Sequence, residues 1–158
     1  MIIGGSLRIE KAVALALIYE SKEKILMQLR DFKVWISHPG VWALFGGDIK
    51  SGETPEAAVI RELREELDFS ANPLIYFRKY FYEEEAACVH VFSCCTVLNS
   101  EKLHLSEGQE YGFFCFSEIL SGKLFSEKLQ CNYPVANLAI RIISDYFSSK
   151  SNIERGIH

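Results

Sequence analysis

Residues 46–69 read GGDIKSGETPEAAVIRELREELDF and include seven acidic residues and two arginines. Thr54 is of a preferred N-cap type, and Pro55 suits the first helical position because its missing N–H would have no partner there. Apolar residues then recur at helical spacing, which predicts a helix that begins at Pro55 and buries one face. These apolar residues are Val59, Ile60, Leu63 and Leu67.

Three carboxylates share a second face of this helix. At about 100° per residue, Glu62, Glu65 and Glu66 lie together beside the apolar stripe. They repel one another by a few tenths of a kcal/mol per pair, and a divalent cation would offset that repulsion. A site of oxygen ligands suits a hard ion such as Mg²⁺, and the absence of His and Cys from the segment argues against zinc. The alternative is a solvated charged face in which Arg61 and Arg64 pair with the carboxylates.

A longer pattern favours the metal site. Gly47 is followed after five residues by Glu53, after seven more by the run Arg61–Glu66, and then by the apolar Phe69. This pattern resembles the signature of the Nudix hydrolases at eight of its nine specified positions. The departure is Asp68, which stands where the family usually has glycine.

The glycine of the family lies just past the helix end, where a left-handed backbone is common. Aspartate is among the few other residues that tolerate that conformation, at a cost of about 1–2 kcal/mol, so the departure leaves the local turn open but not the metal ligands. A milder departure is Phe45, which precedes Gly46 and Gly47 where proline is frequent in relatives.

The resemblance implies a Mg²⁺ site in which Mn²⁺ may substitute. By that resemblance Glu65 and Glu66 bind the metal, Glu62 binds it or acts as the general base, and Gly47 offers its carbonyl oxygen. Hydrolysis of a diphosphate needs charge neutralisation, a positioned water and a proton acceptor, and metals held beside a free carboxylate supply all three.

Glu53 and Arg61 complete the candidate catalytic residues. In the family the matching residues form a salt bridge that orients the loop and the helix. The alternative for Arg61 is an ordinary surface ion pair, which stabilises a protein by less than about 1 kcal/mol.

A further carboxylate is expected from the polar loop that begins at Leu105. Similar loops in relatives place a carboxylate near the metals. Glu110 is the first candidate for this metal ligand and Glu107 the second, whereas a solvated loop glutamate is the alternative for either.

Substrate contacts are expected at the end of the second predicted strand, from Gln28 and Arg30. Aromatic side chains could stack on a nucleobase, and the alternative for each of them is packing in the core. Phe45 is the candidate for substrate binding, and Trp42 and Tyr80 are further aromatic residues of this kind.

The rest of the chain fits one domain of this family. At 158 residues and 18.0 kDa the chain is long enough for one core, and we expect a single Nudix domain over residues 1–147 and a disordered polar tail over 148–158. Runs of apolar, β-branched and aromatic residues predict strands, and apolar residues at helical spacing predict a second helix over Pro134–Phe147. The expected fold is an α/β/α sandwich, with a mixed sheet flanked by helices. The predicted strands are Lys11–Tyr19, Lys24–Leu29, Trp42–Leu44, Leu74–Tyr82, Ala87–Leu98 and Tyr111–Phe116.

Composition and charge restrict the partners. The net charge of −4 and the lack of a basic stripe argue against a nucleic-acid polymer as ligand. We find no signal peptide and no apolar run of membrane-spanning length, so no membrane partner is expected. Five cysteines without paired metal-type spacing predict reduced thiols in a cytoplasmic protein. Because many relatives are dimers, a homodimer is open beside a monomer.

The leading functional hypothesis is a Mg²⁺-dependent Nudix pyrophosphohydrolase that cleaves a nucleoside diphosphate linked to another group, of the nucleotide sugar or ADP-ribose type. This would make it a hydrolase acting on acid anhydrides in phosphorus-containing compounds. One alternative is a MutT-like pyrophosphatase for nucleoside triphosphates or oxidised nucleoside triphosphates. Another is a non-catalytic Nudix-fold nucleotide-binding domain, against which the full set of metal glutamates argues.

Overall fold

The computed structural model of the protein describes residues 8–20, 23–96, 103–154 and 156. The strands are β1 (Lys11–Glu20), β2 (Lys24–Leu29), β3 (Trp42–Ala43), β4 (Phe45–Asp48), β5 (Ile75–Tyr82), β6 (Ala87–Thr96), β7 (Glu110–Cys115), β8 (Lys123–Ser126) and β9 (Cys131–Pro134). The helices are α1 (Pro55–Leu67), α2 (Phe116–Leu120) and α3 (Asn137–Glu154), and a single 3-10 turn covers Glu83–Glu85.

A mixed sheet organises the domain around β1. Along one edge β1 pairs in parallel with β6, which pairs antiparallel with β5. Along the other edge β1 meets β2 only where Tyr19 pairs with Ile25, and β4 takes over that edge at residues 13–16. Strand β2 instead pairs with β3 and β7. The separation of β1 from β2 brings β4, and the loop that leads into α1, to the middle of the sheet.

The two faces of β1 bury different cores because side chains alternate along a strand. Ala14, Ala16 and Ile18 pack with α1 in one core, whereas Leu17 packs with α3 in the other. A helix therefore covers each face of the mixed sheet, and the predicted α/β/α sandwich is confirmed.

Local sequence signals explain both ends of α1. The hydroxyl of Thr54 accepts a hydrogen bond from the N–H of Ala57 at 3.1 Å, as expected of an N-cap. Asp68 adopts the left-handed region (φ 50°, ψ 38°) and its N–H donates to the carbonyl of Arg64 at 3.0 Å. The bond from Asp68 is that of an αL-type helix end, and the N–H of Phe69 also reaches the carbonyl of Leu63 at 3.2 Å.

The C-terminal part of the chain differs from the expectation. Residues 131–134 form β9, so α3 begins at Asn137 and not at Pro134. The helix also continues past Phe147 to Glu154, so the disordered tail expected over 148–158 is corrected to helix for residues 148–154. Tyr146 is buried against the sheet and Lys150 lies 4.1 Å above the Tyr19 ring, contacts that a reading of polar composition cannot anticipate.

Short elements were also missed. Strands β4, β8 and β9 and helix α2 are four or five residues long. Strand β4 pairs with the distant β1, whereas β8 and β9 pair with each other in a separate two-stranded sheet. The predicted strand Ala87–Leu98 is present as β6 to Thr96, and its last two residues lie outside the described ones. Within the described ranges, no helix combines the length and the apolar character needed to cross a membrane.

Candidate active site

Two consecutive glycines let the carboxylates of α1 approach the backbone of β4. A Cβ on Gly46, whose φ is 136°, would lie 2.1 Å from the carbonyl oxygen of Ala14 in β1. A Cβ on Gly47 would lie 2.7 Å from the carboxylate carbon of Glu62. The N–H of Gly46 donates to the carboxylate of Glu66 at 3.3 Å. Only glycine fits at Gly46, because a Cβ there would meet backbone, whereas a Cβ at Gly47 would displace the carboxylate of Glu62.

Glu66 is the buried carboxylate of the site, with 6% of its surface exposed. Burial, and next the nearby charges of Glu62 and Glu107, raise the pKa of Glu66 to about 8, although the Gly46 N–H and Arg30 act in the opposite direction. A carboxyl group held in this way favours a cation beside it, because a positive charge would restore its ionised form.

Arg61 and Glu53 form the ion pair predicted between the helix and the preceding loop. The Nε and Nη2 of Arg61 donate to the two carboxylate oxygens of Glu53 at 2.8 and 3.0 Å. Glu53 also accepts from the N–H of Lys50 at 3.0 Å, and Arg61 donates to the carbonyl of Asp48 at 3.0 Å. The hydrogen bond from Arg61 is the main reason that the pKa of Glu53 falls to about 2. The loop is therefore held against α1 by bidentate, charge-assisted contacts.

The same guanidinium holds two further carboxylates. Arg61 Nη1 donates to Glu62 at 2.7 Å and to Glu65 at 3.3 Å, and the Glu65 side chain is 57% exposed. With these side chains paired to Arg61, no group of three acidic, His or Cys residues in the described part of the chain is arranged to hold a metal ion. The ligand atoms available here nevertheless fit a hard divalent cation, because all of them are oxygens. The carboxylates of Glu62 and Glu66, which repel each other, lie beside the backbone of Gly46 and Gly47.

A cavity of about 530 Å³ begins at these carboxylates and runs along β1. Its floor includes Val13 and Leu15, which point to the same face as Lys11. In the β1–β4 register Gly47 pairs with Ala14, so Lys11 lies about 10 Å further along the strand at 3.3 Å per residue. The cavity thus has one end at the carboxylates of α1 and a second polar end at the start of β1.

A sequence model of the NUDIX domain matches residues 9–131, which is most of the chain. The chain belongs to the NUDIX family. The Nudix domain implies a hydrolase that acts on pyrophosphate bonds, and Nudix hydrolases generally use divalent metal ions such as Mg²⁺.

Solved structures of other Nudix proteins share the fold. The solution structure of the E. coli ORF135 protein is 23% identical and covers 89% of this chain and 90% of its own, with a TM-score of 0.64. A MutT protein from Methanosarcina mazei Go1 is 22% identical over 89% of this chain and 94% of its own, with a TM-score of 0.64. A mutT/nudix family protein from Listeria innocua is 19% identical and covers 92% of this chain and 96% of its own, with a TM-score of 0.67. No curated protein matches the sequence significantly.

The structure places Glu107, and not Glu110, beside the carboxylates of α1. Glu107 lines the cavity, because the N–H of the preceding Ser106 donates to the backbone carbonyl of Glu66 at 2.9 Å. Glu110 has already entered β7, and its carboxylate accepts from the Ser126 hydroxyl and, at 3.2 Å, from the N–H of Glu127. Of the two loop candidates for a metal ligand, the structure thus places the second, Glu107, at the cavity, and the first, Glu110, against Ser126 and Glu127.

Two expected substrate contacts are also corrected. Phe45 is fully buried in the core against α1, and Gln28, 3% exposed, donates to the carbonyl of Leu44 at 3.2 Å. Trp42 and Tyr80 are core residues as well. Arg30 does line the cavity, with its Nε donating to the carbonyl of Ser37 at 3.0 Å.

Sequence reasoning missed the second polar end of the cavity, which Lys11, His38 and Glu85 line. These residues are far apart in sequence and belong to no shared motif. They meet because Lys11 pairs with Ala87 in the parallel β1–β6 register, which places the 3-10 turn beside the start of β1. The proximity of these three residues follows from the pairing of β1 with β6, which a single sequence does not reveal.

Proposed function

We propose that this chain is a Mg²⁺-dependent Nudix pyrophosphohydrolase, with Mn²⁺ able to substitute, that cleaves the diphosphate bond of a nucleoside diphosphate linked to another group. One observation carries the proposal: buried Glu66 and Glu62 meet the glycines of β4 at one end of a cavity whose other polar end lies about 10 Å away along β1. A substrate with a group on either side of its diphosphate would occupy both ends.

The ligand set proposed for Mg²⁺ comprises Glu62, Glu65, Glu66 and the carbonyl of Gly47, with Glu107 as the carboxylate from outside the signature. When bound, the ion would neutralise phosphate charge and lower the pKa of a water that it holds. Glu62 and Glu65 contact Arg61 at 2.7 and 3.3 Å, so both would have to leave it to hold the ion.

Side chains of the protein would supply the general base and position the substrate. A water oxygen forms a bond to phosphorus as the bridging phosphorus–oxygen bond breaks, and a carboxylate takes the proton of the water. Glu62 is the candidate for this base when it is not a metal ligand. Arg61 acts by position, because its bidentate contact with Glu53 sets the loop that carries the β4 glycines against α1. Arg30 supplies a cation at the cavity wall for substrate phosphate.

A MutT-like reaction on nucleoside triphosphates or oxidised nucleoside triphosphates is the second candidate. The observation in its favour is the likeness in fold to the MutT protein from Methanosarcina mazei Go1. Linked diphosphates rank first because they carry a group on each side of the diphosphate. A nucleoside triphosphate carries only its nucleoside and has no second group to occupy the Lys11 end of the cavity.

The test is a hydrolysis panel with Mg²⁺ or Mn²⁺ across ADP-ribose, nucleotide sugars, dinucleoside polyphosphates, nucleoside triphosphates and oxidised triphosphates. Products are separated by chromatography, and we expect a nucleoside monophosphate plus a phosphorylated group. Glu66→Gln should lose at least about 100-fold in kcat, whereas Glu56→Gln, an exposed change in the first turn of the same helix, should keep wild-type turnover. Pyrophosphate release from triphosphates alone would move the assignment to the MutT-like reaction, and no metal-dependent turnover of any compound would overturn both.

A further inference from the structure

Three side chains from separate elements meet at the end of the cavity far from α1. Lys11 lies at the start of β1, His38 in the loop between β2 and β3, and Glu85 in the 3-10 turn before β6. Lys11 Nζ contacts one carboxylate oxygen of Glu85 and His38 Nε2 contacts the other. We call these three residues the distal cluster. All three line the cavity and keep part of their surface exposed, 35% for Lys11, 41% for His38 and 20% for Glu85.

The cluster offers both donors and acceptors within a small space. Burial pushes the pKa of Glu85 up, but the hydrogen bonds from Lys11 and His38 outweigh it and leave the pKa below its usual value. Glu85 is therefore an ionised group that only accepts, while Lys11 only donates. A ligand group that both donates and accepts hydrogen bonds, such as a pair of hydroxyls, can bind Glu85 or Lys11 without leaving the charge of the other unpaired.

The charge around the cluster disfavours an anionic ligand group. Glu84, on the same 3-10 turn, also lines the cavity, so two carboxylates face one lysine and one histidine there. A phosphate or carboxylate placed at this end would meet like charge at close range, which costs free energy in a partly buried site. The matched ligand group is neutral and polar.

A nucleobase is less suited to this end than a sugar. Bases bind by stacking on aromatic faces, and the nearest ring pair is His38 with Tyr82. Their centroids are 6.0 Å apart with planes tilted by 46°, so the two rings already contact each other and leave no slot for a base between them.

We propose that Lys11, His38 and Glu85 form the subsite for a neutral, hydroxyl-bearing sugar attached to the diphosphate, and that they select it against charged sugars. This inference rests on the proposed function, since it places the diphosphate at the α1 end. Glu85 accepts from the sugar hydroxyls, while Lys11 and His38 donate to them. The proposal narrows the substrate class to nucleotide sugars whose sugar carries no charge.

Binding measurements test the subsite separately from catalysis. Isothermal titration calorimetry in the presence of Ca²⁺ compares ADP-glucose, GDP-mannose and UDP-glucose with the same compounds oxidised to the carboxylate at C6 of the sugar. We expect the neutral member of the best-bound pair to bind about 10-fold tighter, which corresponds to the loss of one or two good polar contacts and added repulsion. Glu85→Gln should shrink that ratio to about 2-fold.

The matched control is Glu83→Gln, an exposed carboxylate of the same turn that does not line the cavity, and it should keep the wild-type ratio. Lys11→Met is a second variant. It should lower the affinity for the neutral nucleotide sugar by about 5-fold or more and leave the affinity for the bare nucleoside diphosphate unchanged. Melting temperatures of all variants report whether the fold is retained.

The outcomes separate the two proposals. An unchanged ratio in Glu85→Gln, an equal change in Glu83→Gln, a preference that follows the base instead of the sugar, or no binding of any pair would each overturn the sugar subsite. Selective binding that depends on Glu85, without metal-dependent cleavage, would overturn the proposed hydrolase and leave the subsite standing. Cleavage of linked diphosphates without dependence on Glu85 would do the reverse.

Discussion

Replacing Glu66 by Gln should stabilise the metal-free protein while it removes the response to metal. In the unfolded chain Glu66 titrates near its ordinary pKa of 4.5, whereas in the folded protein burial, and next the charge of Glu62, raise the pKa to about 8. The folded state therefore holds the proton more tightly, and this group lowers the free energy of unfolding as pH rises between those two values. The contribution of Glu66 to stability is greatest below pH 4.5 and is lost by about pH 8.

The magnitude follows from the shift. At about 1.4 kcal/mol per pKa unit, Glu66 costs the folded state up to about 3 kcal/mol at pH 7. Glutamine carries no charge and its amide oxygen can still accept the N–H of Gly46. We expect Glu66→Gln to raise the free energy of unfolding by about 1–3 kcal/mol at pH 7, with a difference that shrinks toward zero near pH 4.5.

Urea unfolding at several pH values between 4.5 and 9, in EDTA, measures the difference directly. Glu56→Gln, exposed in the first turn, is the control and should change stability by less than about 0.5 kcal/mol at every pH. Millimolar Mg²⁺ should then raise the melting temperature of the wild type and not of Glu66→Gln, because only a bound ligand stabilises the folded state. A stability difference that does not vary with pH, or a variant that is less stable than the wild type at pH 8, would refute the reasoning.

Three further predictions concern the glycines of β4, the two loop glutamates and the C-terminal end of α1. Gly46→Ala should lower the free energy of unfolding, measured in urea, by more than about 3 kcal/mol, because its Cβ would lie 2.1 Å from a backbone oxygen of β1. Gly47→Ala should fold, because its Cβ would lie 2.7 Å from a movable carboxylate, but its metal-dependent turnover should fall at least about 10-fold. Glu107→Gln should weaken Mg²⁺ binding in a calorimetric titration by about 3-fold or more, while Glu110→Gln should leave it unchanged; the opposite order would restore Glu110 as the ligand. Asp68→Gly should stabilise the protein by about 0.5–1 kcal/mol, measured by thermal unfolding, because glycine adopts the φ of 50° found there without a Cβ penalty.

Features that depend on neighbouring residues were predictable from the sequence. The start of α1 at Pro55 and the cap at Thr54 follow from interactions within one turn of helix, and the structure confirms both. The conformation of Asp68 was left open by the sequence, and the structure shows it to be left-handed. The Glu53–Arg61 pair was also predicted, since the family spacing sets both residues on facing parts of one loop and helix.

Burial and long-range contacts were less accessible. Phe45 was expected at the substrate, but the pairing of β4 with β1 turns its ring into the α1 core. Glu107 and Glu110 are three residues apart in the segment that the sequence predicts as a polar loop, and nothing in its composition distinguishes them. The hydrogen bond from Ser106 to the backbone of Glu66 decides which one reaches the site.

The sequence by itself determined the family, the helix that carries the carboxylates and their arrangement on one face, because helical periodicity and capping are local. Only the tertiary structure decided that Glu66 is buried, that a cavity runs from it along β1, and that Lys11, His38 and Glu85 close the far end. These features come from strand pairing between segments far apart in the chain, where the free energy of burial is shared among residues that no local pattern connects.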